Sequence, residues 1–189
     1  ESRARFRRER LVEPLERWRR VFERHRAEFE RLFDQFGIAD PAKLNHAQLA
    51  TIFGEQLGDA LRYLAGPPIS ADDLKVLAEA SLAPGRIAQD PDAARRILAT
   101  IRQAVDPCRF PWILEARAPT EAEKASAILA SAALITAQSV STERRTQGKD
   151  AQETAVKAFL QDMAFAAVPT RTIRTLTDAP GPGEFCGES

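Results

Sequence analysis

Apolar and aromatic side chains recur every three or four residues between residues 11 and 36. The intervals alternate between four and three, which is a heptad pattern: Leu11, Leu15, Trp18, Phe22, His25, Phe29, Leu32 and Phe36. Such spacing places the side chains on one face of a helix, so we predict a helix over about 13–36 that ends at Gly37. His25 lies on this apolar face, and we interpret it as a buried, hydrogen-bonded core histidine.

Helix-capping residues continue along the chain. Asn45 with Gln48 and Thr120 with Glu123 have the spacing of capping boxes, while Ser70 and Asp90 each precede a helical pattern. The helix after Thr120 is predicted to run to Gln147 and to end at Gly148. Asp150 with Glu153 then predicts a new helix over 151–164. Extended structure is expected only over 165–168 and 172–176, with a loop over 178–183. We therefore predict a mainly α fold, a bundle of about seven helices.

Composition excludes several functional classes. The 27 basic and 27 acidic residues balance, so binding to nucleic acid has to depend on local clusters. His25 and His46 are the only histidines, which excludes a histidine-rich zinc site. The sequence contains no GxGxxG, GxxxxGK[ST] or GxSxG motif, which argues against nucleotide and serine hydrolysis.

Two further expectations concern the environment of the protein. Cys108 and Cys186 are far apart, and no secretory leader is visible, so we expect reduced thiols and a cytoplasmic location. The apolar run over 125–140 is rich in alanine and interrupted by serine, threonine and glutamine, so we expect no membrane span.

Two local clusters are basic. The first contains Arg3, Arg5, Arg7, Arg8 and Arg10, and two interpretations remain open: contact with phosphate, or a solvated end neutralised by nearby glutamates. The second contains Arg144, Arg145 and Lys149, at the predicted junction of two helices.

The predicted junction at residues 147–151 favours phosphate binding, because the backbone N–H groups at a helix N-terminus attract anions. Glu153 is either the capping partner of Asp150 or a carboxylate directed toward a metal held by other residues.

Several strings of this sequence resemble the N-terminal region of the XamI-type type II restriction endonucleases. They occur in the order found in that family, and the resemblance as a whole extends from about Arg5 to the end. The strings are YLAGPPIS (63–70), DLK (73–75), RFPW (109–112), ASAALI (130–135), GKDAQE (148–153) and PGPGEFCGES (180–189). The resemblance implies an enzyme that cuts double-stranded DNA at a short sequence with a divalent metal such as Mg²⁺, and that commonly works as a homodimer.

Enzymes of this kind usually carry a PD-(D/E)xK core, in which acidic residues hold Mg²⁺ and a lysine assists. By its position in that pattern, Glu153 resembles the carboxylate donated by the first helix of the core, and Glu188 is a second candidate. The resemblance thus implies catalytic residues Glu153 and Glu188, metal ligand Glu153, and DNA contacts from Arg144, Arg145 and Lys149.

The sequence departs from the family pattern in one respect. No strand-borne Asp and Glu-x-Lys pair can be assembled from it, and it begins with Glu1 and stops at Ser189 after a predicted loop. We therefore expect a piece of a longer enzyme that does not cleave DNA by itself. Its expected parts are a helical domain over 1–147 and the start of an α/β restriction-endonuclease-like nuclease core over 148–189. The alternative is a non-enzymatic helical interaction or dimerisation module, in which the apolar face around Trp18 pairs with another helix.

Overall fold

The heptad pattern forms one long N-terminal helical segment. A computed structural model describes residues 2–38 and 40–187. Helix α1 (Ser2–Arg7) leads through a π-helical turn (Arg8–Val12) into α2 (Glu13–Gln35), and Gly37, at φ +58°, follows its end. A positive φ suits glycine because it has no Cβ to clash. The predicted helix is confirmed, and it extends upstream to Ser2.

Within the described residues seven helices follow α2, and six of them are short or of medium length. They are α3 (His46–Gly54), α4 (Gly58–Arg62), α5 (Ala71–Leu77), α6 (Pro84–Gln89), α7 (Pro91–Ala104), α8 (Pro111–Leu114) and α9 (Glu121–Asp162), of which α9 is the exception in length. The predicted caps are confirmed: Asn45 and Gln48 bond reciprocally, Ser70 accepts from the Asp73 N–H, and Asp90 accepts from two N–H groups of α7. The fold is mainly α, as predicted.

Helix α9 contradicts the predicted break at Gly148. It runs without interruption for 42 residues, through both Gly148 and Asp150. The hydroxyls of Thr146 and Thr154 donate to the carbonyls of Thr142 and Asp150, four residues back, as expected inside a continuous helix. The predicted capping box of Asp150 and Glu153 does not form, because neither residue is at a helix start.

Two short strands follow α9. Strand β1 (Ala166–Ala167) pairs in parallel with β2 (Glu184–Phe185), in the register Ala166 to Glu184 and Ala167 to Phe185. Of the extended segment expected over 165–168, Ala166–Ala167 forms a strand, whereas none of residues 172–176 is in a strand and Leu176–Asp178 forms a 3₁₀ turn. The second strand begins immediately after the predicted loop.

The hydrophobic core draws on helices from α2 to α9. Phe33, Phe110 and Trp112 form an aromatic cluster, with ring centroids 5.5–6.4 Å apart. His25 is buried and bonds through Nδ1 to Glu28 at 2.7 Å, which confirms its predicted core role. The second half of the heptad face, from His25 to Leu32, is therefore covered by the protein's own core.

Arg109 is the polar centre of this core. Its guanidinium donates to the Asp106 carboxylate at 2.7 Å, to the carbonyls of Tyr63 and Ala65 at 2.8 and 2.7 Å, and to the Ser131 hydroxyl at 2.9 Å. Gly66 packs against Asp106 so closely that a Cβ at residue 66 would lie 2.8 Å from the Asp106 Cβ. The strings around residues 65 and 109 thus form one packed unit.

Part of α9 is long and apolar enough to cross a membrane by length and composition alone, with a mean hydropathy of 1.3 over 18 residues. The same helix contributes to the core of the protein, including Ala127, Ile128, Ala132 and Ile135. Of the 18-residue window, 39% is buried inside the protein, and this burial accounts for that part of its apolar composition.

The chain divides into two compact units between Val140 and Ser141. The first contains α1–α8 and the beginning of α9. The second contains the rest of α9 and the two strands. The functional division into a helical domain over 1–147 and a nuclease core over 148–189 stays a prediction.

Candidate functional site

The candidate site lies in the second unit, where Lys149, Glu153 and Lys157 occupy successive turns of α9. Their spacing of four residues places the three side chains in one row on the helix surface. The Glu153 carboxylate and the Lys157 ammonium lie 2.6 Å apart. Glu153 is therefore an ion-pair partner within α9, rather than the capping residue that one interpretation of the sequence proposed.

Gly187 packs directly on this ion pair. A Cβ at residue 187 would lie 2.8 Å from the Glu153 Oε1 atom and 3.0 Å from the Lys157 Nζ atom. Only a glycine allows the backbone after β2 to come this close without displacing the two side-chain ends. The parallel pairing of β1 and β2 brings residues 185–187 to α9.

A groove of about 300 Å³ lies between α9 and the segment after β2. Its lining combines apolar side chains with the charged row, and the lining residues are Lys149, Gln152, Glu153, Val156, Lys157, Leu160, Phe185, Cys186 and Gly187. Val156 is 50% exposed, and the neighbouring Phe159, outside the groove, is 64% exposed. Leu160, one turn after Val156, is half-buried, so this helix presents apolar surface mainly at Val156 and Phe159.

The described lining of the groove contains one carboxylate, that of Glu153, and carboxylates bind divalent metals. Mg²⁺ takes oxygen ligands, commonly one or two carboxylates together with water and phosphate. Glu153 is the only acidic residue in the described lining of the groove, and no group of three or more His, Cys, Asp or Glu side chains occurs within residues 2–38 and 40–187. Glu153 is thus a suitable ligand type, but these residues do not form a complete Mg²⁺ site. Glu188, the second candidate, lies outside the described residues.

Arg144 and Arg145 lie in the exposed middle of α9, a little more than two turns before Glu153. Every residue from 142 to 152 is exposed, so this part of the helix is accessible on all sides. No helix N-terminus is present here, which removes the backbone N–H groups that the predicted junction would have offered to phosphate. The basic side chains remain as the possible phosphate contacts. Lys149, one turn further, joins them to the groove.

Two features of the site were not predicted from the sequence. Lys157 follows Glu153 by four residues, which is the spacing of a helical ion pair and was readable from the sequence. The approach of Gly187 was not readable, because it depends on the pairing of strands 17 residues apart in the chain.

Comparison with known proteins decides the family. The sequence model described as "XamI restriction endonuclease" matches residues 42–189. The type II restriction enzyme XamI of Xanthomonas campestris pv. amaranthicola is 42% identical over 188 residues, covering 99% of this chain and 68% of XamI.

The chain belongs to the XamI restriction endonuclease family. The family predicted from the resemblance is thereby confirmed, and it is one of type II restriction endonucleases. No solved structure matches the chain. The matched region of the family includes Arg144, Arg145, Lys149, Glu153 and Glu188, the residues for which we predict a function.

Proposed function

We propose that this protein is a type II site-specific restriction endonuclease that hydrolyses phosphodiester bonds of double-stranded DNA with a divalent metal, expected to be Mg²⁺. The observation that carries the proposal is the identity of 42% with the restriction enzyme XamI, which extends over almost the whole chain. The geometry supports it with an exposed basic helix surface next to a single carboxylate in a groove.

Each candidate residue has a specific role in this proposal. Glu153 supplies one carboxylate of the metal site, and Glu188 is a candidate for a second catalytic carboxylate. Arg144, Arg145 and Lys149 contact backbone phosphates near the scissile bond. Glu153 would hold the divalent metal together with oxygen ligands from other residues, and the bound metal would supply an activated water and stabilisation of the charge on phosphate. The enzyme is proposed to act in the cytoplasm as a homodimer.

We further propose that the polypeptide 1–189 does not cleave DNA by itself. The sequence contains one (Asp/Glu)-x-Lys triplet, Asp73-Leu74-Lys75, and it lies in helix α5 rather than on a strand. Glu123 and Lys124 are in the first turn of α9, where Glu123 is bonded to Arg117 and to the Thr120 N–H. Glu123 therefore serves helix capping, whereas Lys124 pairs with Asp34 of α2, and neither supplies the missing pair.

The experiment compares the polypeptide 1–189 with the full product of its gene on plasmid DNA in the presence of Mg²⁺. We expect discrete bands from the full product and none from 1–189. In the full product, Glu153→Gln is expected to lower the cleavage rate by roughly 100-fold or more, at least as much as loss of a group that orients a metal ligand.

Asp150→Asn is the matched control, because it removes an exposed carboxylate from the same helix one turn away. It is expected to leave cleavage unchanged. Absence of cleavage by the full product would refute the function. Equal cleavage by the Glu153 and Asp150 variants would refute the role of Glu153 alone.

A further inference from the structure

The beginning of the N-terminal helical segment is strongly basic, although the net charge of the whole chain is zero. Residues 2–20 contain eight arginines and three glutamates, a net charge of +5, whereas the whole chain has 27 residues of each sign. The basic residues in this segment are all arginine, whose planar guanidinium binds phosphate through two parallel hydrogen bonds. The whole segment precedes the region that matches the family model, which begins at residue 42.

Several of these arginines are accessible. Arg3, Arg7, Arg19 and Arg20 are all exposed, and no ion pair or hydrogen bond within residues 2–38 and 40–187 engages their side chains. Arg8, by contrast, lies 3.2 Å from Glu13. The solvated-end interpretation concerned the cluster Arg3, Arg5, Arg7, Arg8 and Arg10, and within the described residues Arg3 and Arg7 of this cluster have no glutamate partner.

We call the four exposed arginines Arg3, Arg7, Arg19 and Arg20 the arginine face. All four lie outside the core, and Arg19 is about 100° around the helix from Trp18. Arg20 lies about 200° around the helix from Trp18, and Trp18, Phe22 and His25 follow the core face. Leu11 and Leu15, exposed to 55% and 45%, continue that apolar face rather than the arginine face. The arginine face can therefore approach a ligand without any change in the packing of the core.

We propose that this arginine face, defined by Arg3, Arg7, Arg19 and Arg20, is a second DNA-contacting surface that binds backbone phosphates of the duplex. The inference rests on the proposed function for its choice of polyanion. From Arg3 to Arg20 the helical segment covers about 25 Å at 1.5 Å per residue. Duplex DNA carries a charge about every 1.7 Å, so the segment is long enough to lie along several phosphates. The surface binds without regard to base sequence, since it offers charge to phosphate and no fixed contact to base edges.

The test measures the salt dependence of binding of the polypeptide 1–189 to a fluorescently labelled DNA duplex without metal, so that the DNA stays intact. Arg19→Gln with Arg20→Gln removes two phosphate contacts. The slope of log affinity against log salt is then expected to become shallower by about 1.8. An increase of salt from 50 to 200 mM is therefore expected to weaken DNA binding by the variant about twelvefold less than it weakens DNA binding by the parent.

Arg86→Gln with Arg95→Gln is the matched control. Both arginines are exposed, on α6 and α7, and their removal changes the net charge by the same amount. The control is expected to leave the slope within about 0.3 of the parent value, since it removes no phosphate contact. Arg3→Gln with Arg7→Gln is a second, independent variant, expected to behave as the Arg19 and Arg20 pair does.

Outcomes distinguish this inference from the proposed function. If Arg144→Gln with Arg145→Gln weakens binding while both N-terminal pairs match the control, the inference is wrong and the proposed DNA contacts of α9 stand. If the parent polypeptide shows no salt-dependent DNA binding, the inference and the proposed DNA contacts of α9 are both wrong. If the N-terminal variants lose self-association in sedimentation while DNA affinity is unchanged, the face is a protein interface and the inference is overturned.

Discussion

Arg109 allows the sharpest test of how the first unit is held together. Its guanidinium donates to one carboxylate, two backbone carbonyls and one hydroxyl, and its side chain is only 11% exposed. Asp106 responds to this partner: burial raises its pKa, but hydrogen bonds from Arg109 and from the Cys108 N–H outweigh burial, so the pKa lies below its usual value. Replacing Arg109 by Met retains much of the stem and removes all four bonds.

The expected cost follows from what the substitution leaves behind. The Asp106 carboxylate loses its cation, and the acceptors at Tyr63, Ala65 and Ser131 lose a donor in a region with little access to water. Breaking a largely buried ion pair from one side costs about 3–5 kcal/mol, and we expect Arg109→Met to lower the free energy of unfolding by this amount. Arg109→Lys keeps the charge but has a single nitrogen, which cannot reach all four acceptors, so we expect a loss of about 1–3 kcal/mol.

Urea unfolding followed by circular dichroism at 222 nm measures these losses. Arg95→Met is the control, because Arg95 is 78% exposed and pairs with Asp92 on the surface of α7. Surface pairs contribute about 0–1 kcal/mol. Equal losses for the Arg109 and Arg95 variants, with unchanged dependence on urea, would refute the interpretation of Arg109 as the polar centre of the core.

Two further predictions concern α9. Gly148→Ala is expected to stabilise the protein by about 0.5–1 kcal/mol, because alanine favours a helix interior and its Cβ meets no atom within 4 Å. Gly37→Ala is the contrasting variant, and it is expected to destabilise the protein because residue 37 has φ +58°. Destabilisation at both positions, measured by urea unfolding, would contradict a continuous α9. The Arg117 hydrogen bond, helped by the Thr120 N–H, lowers the pKa of the Glu123 carboxyl to about 2, from 4.5. The ionised Glu123 therefore contributes stability above about pH 4.5 that is lost as the pH falls toward 2. The difference in melting temperature between the parent and Glu123→Gln should shrink over this range, and a constant difference would exclude this linkage.

The helix starts were predictable because the interactions that make them are local. Asn45 with Gln48, and Thr120 with Glu123, complete their bonds within one turn, so the sequence contains both partners. These hydrogen bonds join residues three apart in the sequence, so they do not depend on the rest of the fold. The apolar face from His25 to Leu32 was predictable for a similar reason, since its helical period is visible in the sequence.

The prediction at Gly148 was wrong because a glycine has two uses. It ends a helix when it adopts a positive φ, as Gly37 does, but it is tolerated inside a helix at a cost of about 1 kcal/mol. The helical residues on either side of Gly148 supply enough cooperative hydrogen bonding to offset this cost. Asp150 then has no free N–H group to cap.

The candidate site was predictable in its residues and not in its arrangement. The sequence identifies Glu153 and the basic residues before it, while the contact of Gly187 with the ion pair depends on strands of two residues each. Strands this short have no periodicity of their own, and their pairing is set by the tertiary structure.

The close packing of Gly66 on Asp106 has a consequence for how related sequences vary. A side chain at residue 66 would displace Asp106, and a changed residue 106 would release Arg109, so these positions should change together rather than singly. Two of the strings that relate this chain to its family, around residues 66 and 109, are thus linked by packing. A sequence that shares both inherits this architecture, whichever DNA sequence it recognises.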